Sequence, residues 1–297
     1  MAFPTETVYG LGADASNPAA VARIYAAKGR PADHPVIVHV GDPRQIAHWA
    51  RDVPDVAKRL VARYWPGPLT LVLRRADGVG DYLTGGQDTI GLRMPGHPIA
   101  LELLREFGGG VAAPSANKFG RISPTTAEHV RRDLGDEVDL ILDGGPCEIG
   151  IESTILDLSR ATPVLLRPGQ ISAEDIAATL GFPPRPAHPG APRAPGALDS
   201  HYAPRQPVRL VESSQWSETM RGASPRRGVL ALRPQPPRDS STMWIDAPKN
   251  PQGYAHDLYA NLRALDASGC DEILVEAPPA TAEWAAVRDR LARARSI

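Results

Sequence analysis

The spacing of apolar residues predicts alternating helices and strands from the start of the chain. Val21, Ile24 and Tyr25 follow Asn17-Pro18 at helical spacing, a typical helix start, and Gly29 is a typical residue at a helix end. After Pro31 and Pro35, the apolar run 36–40 predicts a buried strand that holds one polar residue, His39. The chain therefore begins with a short βα unit that leads into a second strand.

The same kind of pattern continues to about residue 183. It predicts further strands at 69–73, 89–95, 111–114 and 140–142, and a hairpin of 152–158 with 164–166. It predicts helices at 43–51, 54–64, 99–107 and 126–134, and another from Ser172 to Leu180. Thr125 and Glu128 are expected to form the capping box of the helix at 126–134.

A proline-rich stretch then interrupts the pattern. Residues 183–207 contain eight prolines and no periodic apolar positions, which favours an extended, semi-rigid segment. Beyond it, strands are expected at 208–211, 228–232 and 272–275, and helices at 251–268 and 281–294. We therefore predict an α/β chain with a domain at 1–183, a linker at 184–207 and a smaller α/β domain at 208–297.

Composition narrows the class of protein. With 42% hydrophobic and 23% charged residues, the chain is typical of a soluble globular protein, and a net charge of −1 gives no overall attraction to nucleic acid. Cys147 and Cys270 have no metal-ligand or redox-motif spacing, so they are expected to be buried thiols in a reducing cytoplasm. No apolar run reaches membrane-spanning length and the N-terminus does not resemble a signal peptide, so we expect no membrane association.

Candidate chemistry lies in polar residues at predicted strand ends, where ligands gather in open α/β sheets. Each has an ordinary structural alternative: His39 fits a core histidine, Ser115 and Asn117 fit a turn, and Lys28 fits a cap of its own helix. Two cations, Lys28 and Arg30, on one Gly/Pro-rich turn favour an anion site instead. The chain has no Walker loop, GxGxxG or HExxH motif, so a nucleotide would be held by side chains and loop amides. None of its eight histidines pairs at metal-ligand spacing, so we expect no protein-bound structural metal. The strand-end residues are Thr7, His39, Arg93, Ser115, Asn117, Ser153 and Arg167.

The sequence also carries a family resemblance. The segments PTETVYGLGADA, AKGRP and VIVHV resemble the N-terminal signature of the YrdC/Sua5 family. The resemblance implies a YrdC-like twisted, mixed open sheet with helices, followed by a small Rossmann-like Sua5 domain. That family normally has a helix and the start of a strand upstream. The start codon is therefore expected to be misassigned or the chain shortened, and the first strand to be frayed.

The resemblance implies an activity as well. The family includes L-threonylcarbamoyladenylate synthases, which are nucleotidyltransferases. They form threonylcarbamoyl-AMP and pyrophosphate from L-threonine, bicarbonate or CO₂, and ATP with Mg²⁺. The product serves threonylcarbamoyladenosine (t6A) modification of ANN-decoding tRNAs through a downstream tRNA threonylcarbamoyl transferase complex. No stable, direct nucleic-acid binding is then required.

Site residues follow from matching motifs. The residues 28–30 (KGR) and 115–117 (SAN) match the family's Lys-x-Arg and Ser-x-Asn pairs, which implies a catalytic set of Lys28, Arg30, Ser115 and Asn117. The residues implied around L-threonine are Thr7, His39, Arg93, Ala113 and Ser153. The residues implied around ATP are Arg30, His34, Thr89, Ser115, Ser123, Arg167 and Tyr202, the last from the linker motif 200–204.

Two other functions are alternatives to this one. An RNA-binding protein that uses a basic concave face should interleave aromatic residues with Arg and Lys, but aromatic residues make up only 5% of the chain. A carbamoyltransferase of the hydrogenase-maturation type would carry zinc-finger and acylphosphatase modules, which this sequence lacks. Pyrophosphate release with and without threonine separates the three.

Overall fold

The computed structural model describes residues 1–196, 201–221, 226–236 and 243–295. The chain forms two compact units. The first contains Met1–Phe119 and Pro124–Ala197, and the second contains Gly120–Ser123 and Leu198–Ile297. Ser200 of the predicted linker motif lies outside the described residues.

The first unit is built on a mixed sheet. Its strands are β1 (Ala2–Phe3), β2 (Gly10–Leu11), β3 (Ala13–Asp14), β4 (Ile37–His39), β5 (Leu69–Arg74), β6 (Thr89–Arg93), β7 (Val111–Ala112), β8 (Thr154–Asp157), β9 (Val164–Arg167) and β10 (Arg185–Pro186). Among the described residues, eight of these form one sheet in the order β10-β9-β8-β5-β6-β4-β7-β3, and β1 pairs with β2. Parallel and antiparallel pairs alternate from β10 to β7, and the last pair, β7 with β3, is also antiparallel.

Helices join these strands, and most of them cover one face of the sheet. They are α1 (Pro18–Lys28), α2 (Ile46–Trp49), α3 (Asp55–Tyr64), α4 (Asp81–Thr84), α5 (Pro98–Phe107), α6 (Ala127–Leu134) and α7 (Ala173–Leu180), with 3₁₀ turns at Pro43–Gln45 and Gly135–Glu137. Alternate strand residues such as Val38, Leu71 and Leu92 join Leu60 of α3 in the main core. The residues between them, such as Ile37 and Val72, lie in a separate apolar cluster on the opposite face.

The helix at the start of the chain forms as its sequence predicts. The Asn17 side chain accepts hydrogen bonds from the backbone of Ala19 and Ala20, and Pro18 occupies the first turn. Gly29 ends α1 in the left-handed conformation, with φ 60°, which a glycine adopts without the steric cost that a Cβ would bring.

Three expectations about element boundaries were wrong. The predicted helix at 43–51 is a 3₁₀ turn followed by α2, because Ala50 is extended and bridges to Arg75. Thr126, not Thr125, is the N-cap of α6. The Thr125 backbone N–H, which Glu128 was expected to bind, donates to the ring of His129 instead. Residues 140–142 form no strand, because they pair with Ala2 through a single bridge.

The first strand is not frayed. Ala2 and Phe3 are both fully buried, and they pair antiparallel with Leu11 and Gly10. The Ala2 backbone also donates to Leu140 O at 2.7 Å and accepts from Leu142 N at 2.9 Å. Pairing on two sides holds β1 in place.

The second unit is a separate α/β layer structure. Its strands are β11 (Val208–Val211), β12 (Arg227–Ala231), β13 (Met243–Asp246) and β14 (Glu272–Glu276), all parallel, in the order β11-β14-β12-β13. Its helices are α8 (Trp216–Arg221), α9 (Pro251–Ala267) and α10 (Ala285–Ala294), with 3₁₀ turns at Ser213–Gln215 and Ala282–Trp284. An all-parallel sheet with crossover helices is the Rossmann-like arrangement.

The boundary between the units falls inside the proline-rich stretch. Arg185–Pro186 forms β10, which pairs parallel with β9 in the first unit. Ala194 is 7% exposed and packs with Ile37 and Ile155 of the first unit. Residues 184–196 are therefore part of the first unit, whereas His201 and Tyr202 belong to the second.

Candidate active site

The end of α1 is tied to the SAN segment by Lys28. Its Nζ donates to Ser115 O at 2.6 Å and to Asn117 O at 2.5 Å, and the Lys28 carbonyl accepts from Phe119 N at 2.8 Å. Lys28 is 2% exposed. The ammonium therefore stabilises the SAN segment rather than the last carbonyls of its own helix. The structure brings the KGR and SAN motifs into direct contact.

Arg30 and His34 lie against the same segment. Arg30 Nη2 donates to Pro35 O at 2.8 Å, and its Cζ lies 5.6 Å from the Phe119 ring centroid. The His34 ring packs edge-on against Phe119, with 5.2 Å between centroids. The residues predicted to be catalytic and part of those predicted to bind ATP thus form one cluster.

Positive charge is concentrated in this cluster. Burial lowers the pKa of Lys28 well below its ordinary value, and the nearby Arg30 guanidinium lowers it further. Burial followed by Arg30 also lowers the pKa of His34. An anionic ligand such as a phosphate would offset the repulsion between Lys28 and Arg30, which makes this a site suited to phosphate groups.

The N-terminal signature runs alongside the SAN segment. Leu11 N donates to Pro114 O and Ala116 N donates to Tyr9 O, both at 2.8 Å, so β2 continues as a ladder beside residues 114–116. Within the signature, the hydroxyl oxygens of Thr5 and Thr7 lie 2.8 Å apart, and Thr7 is fully buried. Thr7 is therefore fixed within the signature, whose next residues run beside the SAN segment.

Three of the predicted threonine-binding residues, His39, Arg93 and Ala113, lie on or next to neighbouring strands of the sheet. His39 and Arg93 are register partners on the parallel strands β4 and β6, and Ala113 N donates to Ile37 O at 2.9 Å on the next strand. Because side chains alternate along a strand, His39 and Arg93 lie on the face opposite Val38 and the main core. Burial first, then Arg93, lowers the pKa of His39 to about 3, so its imidazole is neutral at physiological pH.

Ser153 is fixed by residues from two neighbouring strands. Arg167 donates to Ser153 O from Nη2 at 2.9 Å and from Nε at 3.1 Å. The Ser153 hydroxyl lies 2.8 Å from that of Thr70, which lines a small cavity together with Thr89. Arg167, predicted to bind ATP, therefore lies beside a residue predicted to bind threonine.

Two predicted ATP residues belong to the second unit. Ser123 is fully buried in the segment Gly120–Ser123. Tyr202 is 1% exposed and has a φ of 64°; its ring packs against Tyr259 at 5.7 Å and under Arg290 at 5.4 Å. The environment described for Tyr202 is thus the interior of that unit.

The structure adds polar residues that the sequence patterns had not singled out. Glu6 forms a 2.8 Å ion pair with Arg93. It lies between Thr5 and Thr7 in the TET motif, so the motif could have identified it as a candidate site residue. Thr70 is a polar residue among the apolar residues of strand β5, a pattern that could also have identified it. Arg193 donates to Gly85 O at 2.7 Å from within the proline-rich stretch, where nothing in the pattern marked it.

Other features of the described residues lie apart from this cluster. A groove of about 660 Å³ is lined by residues that include Asp42, Arg44, Met94 and Arg105, but by none of the predicted site residues. Its Asp42 and Arg44 already pair with each other. Within the described ranges, no group of three or more His, Cys, Asp or Glu residues is placed to hold a metal ion, and no helix is long and apolar enough to cross a membrane.

The fold and the site together define a class: an α/β protein with a buried cationic and hydroxyl-rich site on one face of a mixed sheet. A family model described as "Telomere recombination", covering the Sua5, YciO and YrdC proteins, matches residues 1–169. A second model, described as "Threonylcarbamoyl-AMP synthase, C-terminal domain", matches residues 171–296.

Individual relatives cover the whole chain. The threonylcarbamoyl-AMP synthase of Bacillus subtilis is 42% identical over 99% of this chain and 88% of its own length, and that of Pyrococcus abyssi is 40% identical over 99% and 89%. The crystal structure of P. abyssi Sua5 complexed with L-threonine superimposes with a TM-score of 0.88 at 38% identity, covering 100% of this chain and 92% of that one. The chain belongs to the YrdC/Sua5 family.

Proposed function

We propose that this protein is a threonylcarbamoyl-AMP synthase, a nucleotidyltransferase that makes threonylcarbamoyl-AMP and pyrophosphate from L-threonine, bicarbonate or CO₂, and ATP. The observation that carries the proposal is the contact of Lys28 with the carbonyls of Ser115 and Asn117. It joins the two motifs that bear the predicted phosphate site, in the unit whose sheet face carries His39 and Arg93. The full-length relatives of the same name support it.

The reaction needs no nucleophilic side chain. The threonine amine condenses with bicarbonate, losing water, to give a carbamate, and a carbamate oxygen then attacks the α-phosphorus of ATP. The bond between the α- and β-phosphates breaks and pyrophosphate leaves. What the protein must supply is orientation of two substrates and stabilisation of charge on the phosphate oxygens.

Residues of this chain fit those two tasks. Lys28, Arg30 and Arg167 are assigned to the phosphates, with Ser115, Asn117, Thr89, His34, Ser123 and Tyr202 as further nucleotide residues. Thr7, His39, Arg93, Ala113 and Ser153 are assigned to threonine. Mg²⁺ is expected to arrive as part of the ATP complex and to neutralise phosphate charge. The product would pass to a tRNA threonylcarbamoyl transferase complex in the cytoplasm.

The experiment measures AMP, pyrophosphate and threonylcarbamoyl-AMP after incubation with ATP and Mg²⁺. Pyrophosphate and AMP-containing product should form only when L-threonine and bicarbonate are both present. Arg30→Ala should abolish both, whereas Arg44→Ala, in the separate groove, should match the unchanged protein. Release of ADP, or of pyrophosphate without threonine, would exclude the proposed reaction.

An RNA-binding function is the alternative, and it is not favoured. No observation on the first unit requires a nucleic acid, and the relatives that cover the full chain carry the synthase name. Salt-dependent binding of tRNA in the absence of ATP turnover would support the RNA-binding function instead.

A further inference from the structure

Glu6 is the carboxylate at the centre of the TET motif. Its Oε1 lies 2.8 Å from Arg93 Nη2, and the two side chains are 8% and 5% exposed. A buried pair of charges is stable only when each charge is compensated, so Glu6 and Arg93 depend on each other.

The hydrogen-bonding capacity of the pair is incompletely used. Arg93 Nε donates to Gly67 O at a long 3.3 Å. Within the described residues, neither carboxylate oxygen of Glu6 makes a well-aligned hydrogen bond. The same is true of Arg93 Nη2. Buried polar groups are normally hydrogen-bonded, so these atoms are available to a ligand that brings both a donor and an acceptor.

Several residues beside the pair carry no charge. The register partner of Arg93 is His39, which is neutral at physiological pH. Burial raises the pKa of the nearby Cys147 thiol to about 12, so it is neutral as well. Thr5 and Thr7, on either side of Glu6, carry hydroxyls only. The ion pair of Glu6 and Arg93 therefore offers one negative and one positive charge to a ligand at this point of the site.

We propose that Glu6 is a specificity-determining residue of the amino-acid site: by balancing Arg93, it makes the site select a zwitterion, with an ammonium as well as a carboxylate, over a simple carboxylate. This rests on the proposed function, in which L-threonine occupies the region of Thr7, His39 and Arg93. A carboxylate ligand pairs with Arg93, and Glu6 attracts an ammonium on the same ligand. A ligand with a hydroxyl in place of the ammonium meets the negative charge of Glu6 without compensation.

The test compares two ligands of nearly equal shape by calorimetry: L-threonine and its 2-hydroxy analogue, the 2,3-dihydroxybutanoate of matching stereochemistry. The unchanged protein should prefer threonine. Glu6→Gln should weaken threonine binding by about ten- to a hundredfold, the range for a hydrogen bond to a charged group, and leave binding of the hydroxy acid equal or tighter. ATP affinity should not change.

The controls separate specificity from folding. Glu102→Gln removes the same charge from the exposed face of α5 and should leave both affinities as they were. Should Glu6→Gln fail to fold, Glu6→Asp keeps the charge one methylene further back, and it should shift the ratio of the two affinities in the same direction by less.

The outcomes are distinct. Equal weakening of both ligands in the folded variants would overturn the inference and make Glu6 a structural partner of Arg93 only. Failure of the unchanged protein to bind threonine at all would instead count against the proposed function. A lowered preference for threonine with unchanged ATP binding would support both.

Discussion

His39 and Arg93 lie side by side as register partners on the parallel strands β4 and β6, with the imidazole held neutral beside the guanidinium. Both residues are 4% exposed. An imidazole that stays neutral can accept a hydrogen bond at one nitrogen while it donates at the other, which suits contact with an amino-acid substrate. Its burial also links the stability of the protein to pH.

The first prediction is that His39 makes the protein less stable in mild acid. Above about pH 6.5, the ordinary pKa of histidine, His39 is neutral in both the folded and the unfolded chain and contributes nothing. Below that pH, His39 binds a proton in the unfolded chain, but in the folded chain it stays neutral down to about pH 3. Between about pH 7.5 and about pH 5.5 this should remove about 1.4 kcal/mol from the free energy of unfolding.

Urea unfolding of the unchanged protein and of His39→Gln at both pH values measures this loss. The variant should lose about 1.4 kcal/mol less on acidification, whatever its stability at neutral pH. His188→Gln, which changes an exposed histidine, serves as the control and should retain the full pH dependence. The same slope in His39→Gln as in the unchanged protein would show that His39 is not the titrating group.

The second prediction concerns Lys28. Lys28→Met keeps an apolar side chain close to the lysine stem in size but leaves the buried carbonyls of Ser115 and Asn117 without their donor. The free energy of unfolding should fall by about 2–4 kcal/mol, and ATP binding should weaken because the SAN segment loses its fixed position. Urea unfolding and ATP calorimetry measure the two effects. Lys58→Met, at an exposed lysine, should change neither the free energy of unfolding nor ATP binding. Full stability in Lys28→Met would exclude a structural role for the Lys28 ammonium.

Local sequence signals predicted much of the fold because they act over a few residues. Asn17, Pro18 and Gly29 fixed the limits of α1, and alternating apolar runs located β5 and β6. Very short strands escaped prediction. Gly10–Leu11, Ala13–Asp14 and Arg185–Pro186 each have only two residues, and they are strands only because a partner from elsewhere in the chain lies beside them.

The sequence predicted which residues belong to the site but not which contacts they make. The motifs named Lys28 and Asn117, but no pattern could show that the ammonium binds the backbone of a segment 89 residues away. Glu6 was visible in a motif and carried no role until its pairing with Arg93 was seen. Contacts of this kind depend on the topology of the sheet, which brings β4, β6 and β7 together out of sequence order.

The third prediction separates charge from shape at Arg30. Arg30→Lys keeps a positive charge but loses the planar fork, the hydrogen bond to Pro35 O and the stacking on Phe119. Synthase turnover should fall by about a hundredfold, while the free energy of unfolding falls by only about 1 kcal/mol. Steady-state pyrophosphate release and urea unfolding give the two values.

A matched exchange at an exposed arginine provides the control for Arg30. Arg23→Lys, on the surface of α1, should leave turnover and stability unchanged. If Arg30→Lys retains full turnover, a point charge is sufficient and the fork has no part in phosphate binding. If it loses stability and turnover together to a large extent, Arg30 is mainly structural.

The last prediction concerns the segment from Ala191 to Pro195, which lies across the face of the sheet that carries Thr70 and Thr89. Gln87 holds it in place: Oε1 accepts from Arg193 N at 2.7 Å, and Nε2 donates to Arg193 O at 3.1 Å. Arg167 Nη1 donates to Pro195 O at 2.9 Å. Gln87→Ala removes both hydrogen bonds to Arg193, so trypsin cleavage after Arg193 should accelerate by about tenfold.

Cleavage at this one bond is followed by mass spectrometry, with cleavage after the exposed Arg160 as an internal reference that should not change. In the unchanged protein, ATP and L-threonine added together should slow cleavage after Arg193, because a segment that closes over bound substrates opens less often. Gln252→Ala, an exposed glutamine on α9, should behave like the unchanged protein. If Gln87→Ala is cut no faster, and substrates give no protection, the segment from Ala191 to Pro195 is a fixed part of the first unit and does not open during the reaction.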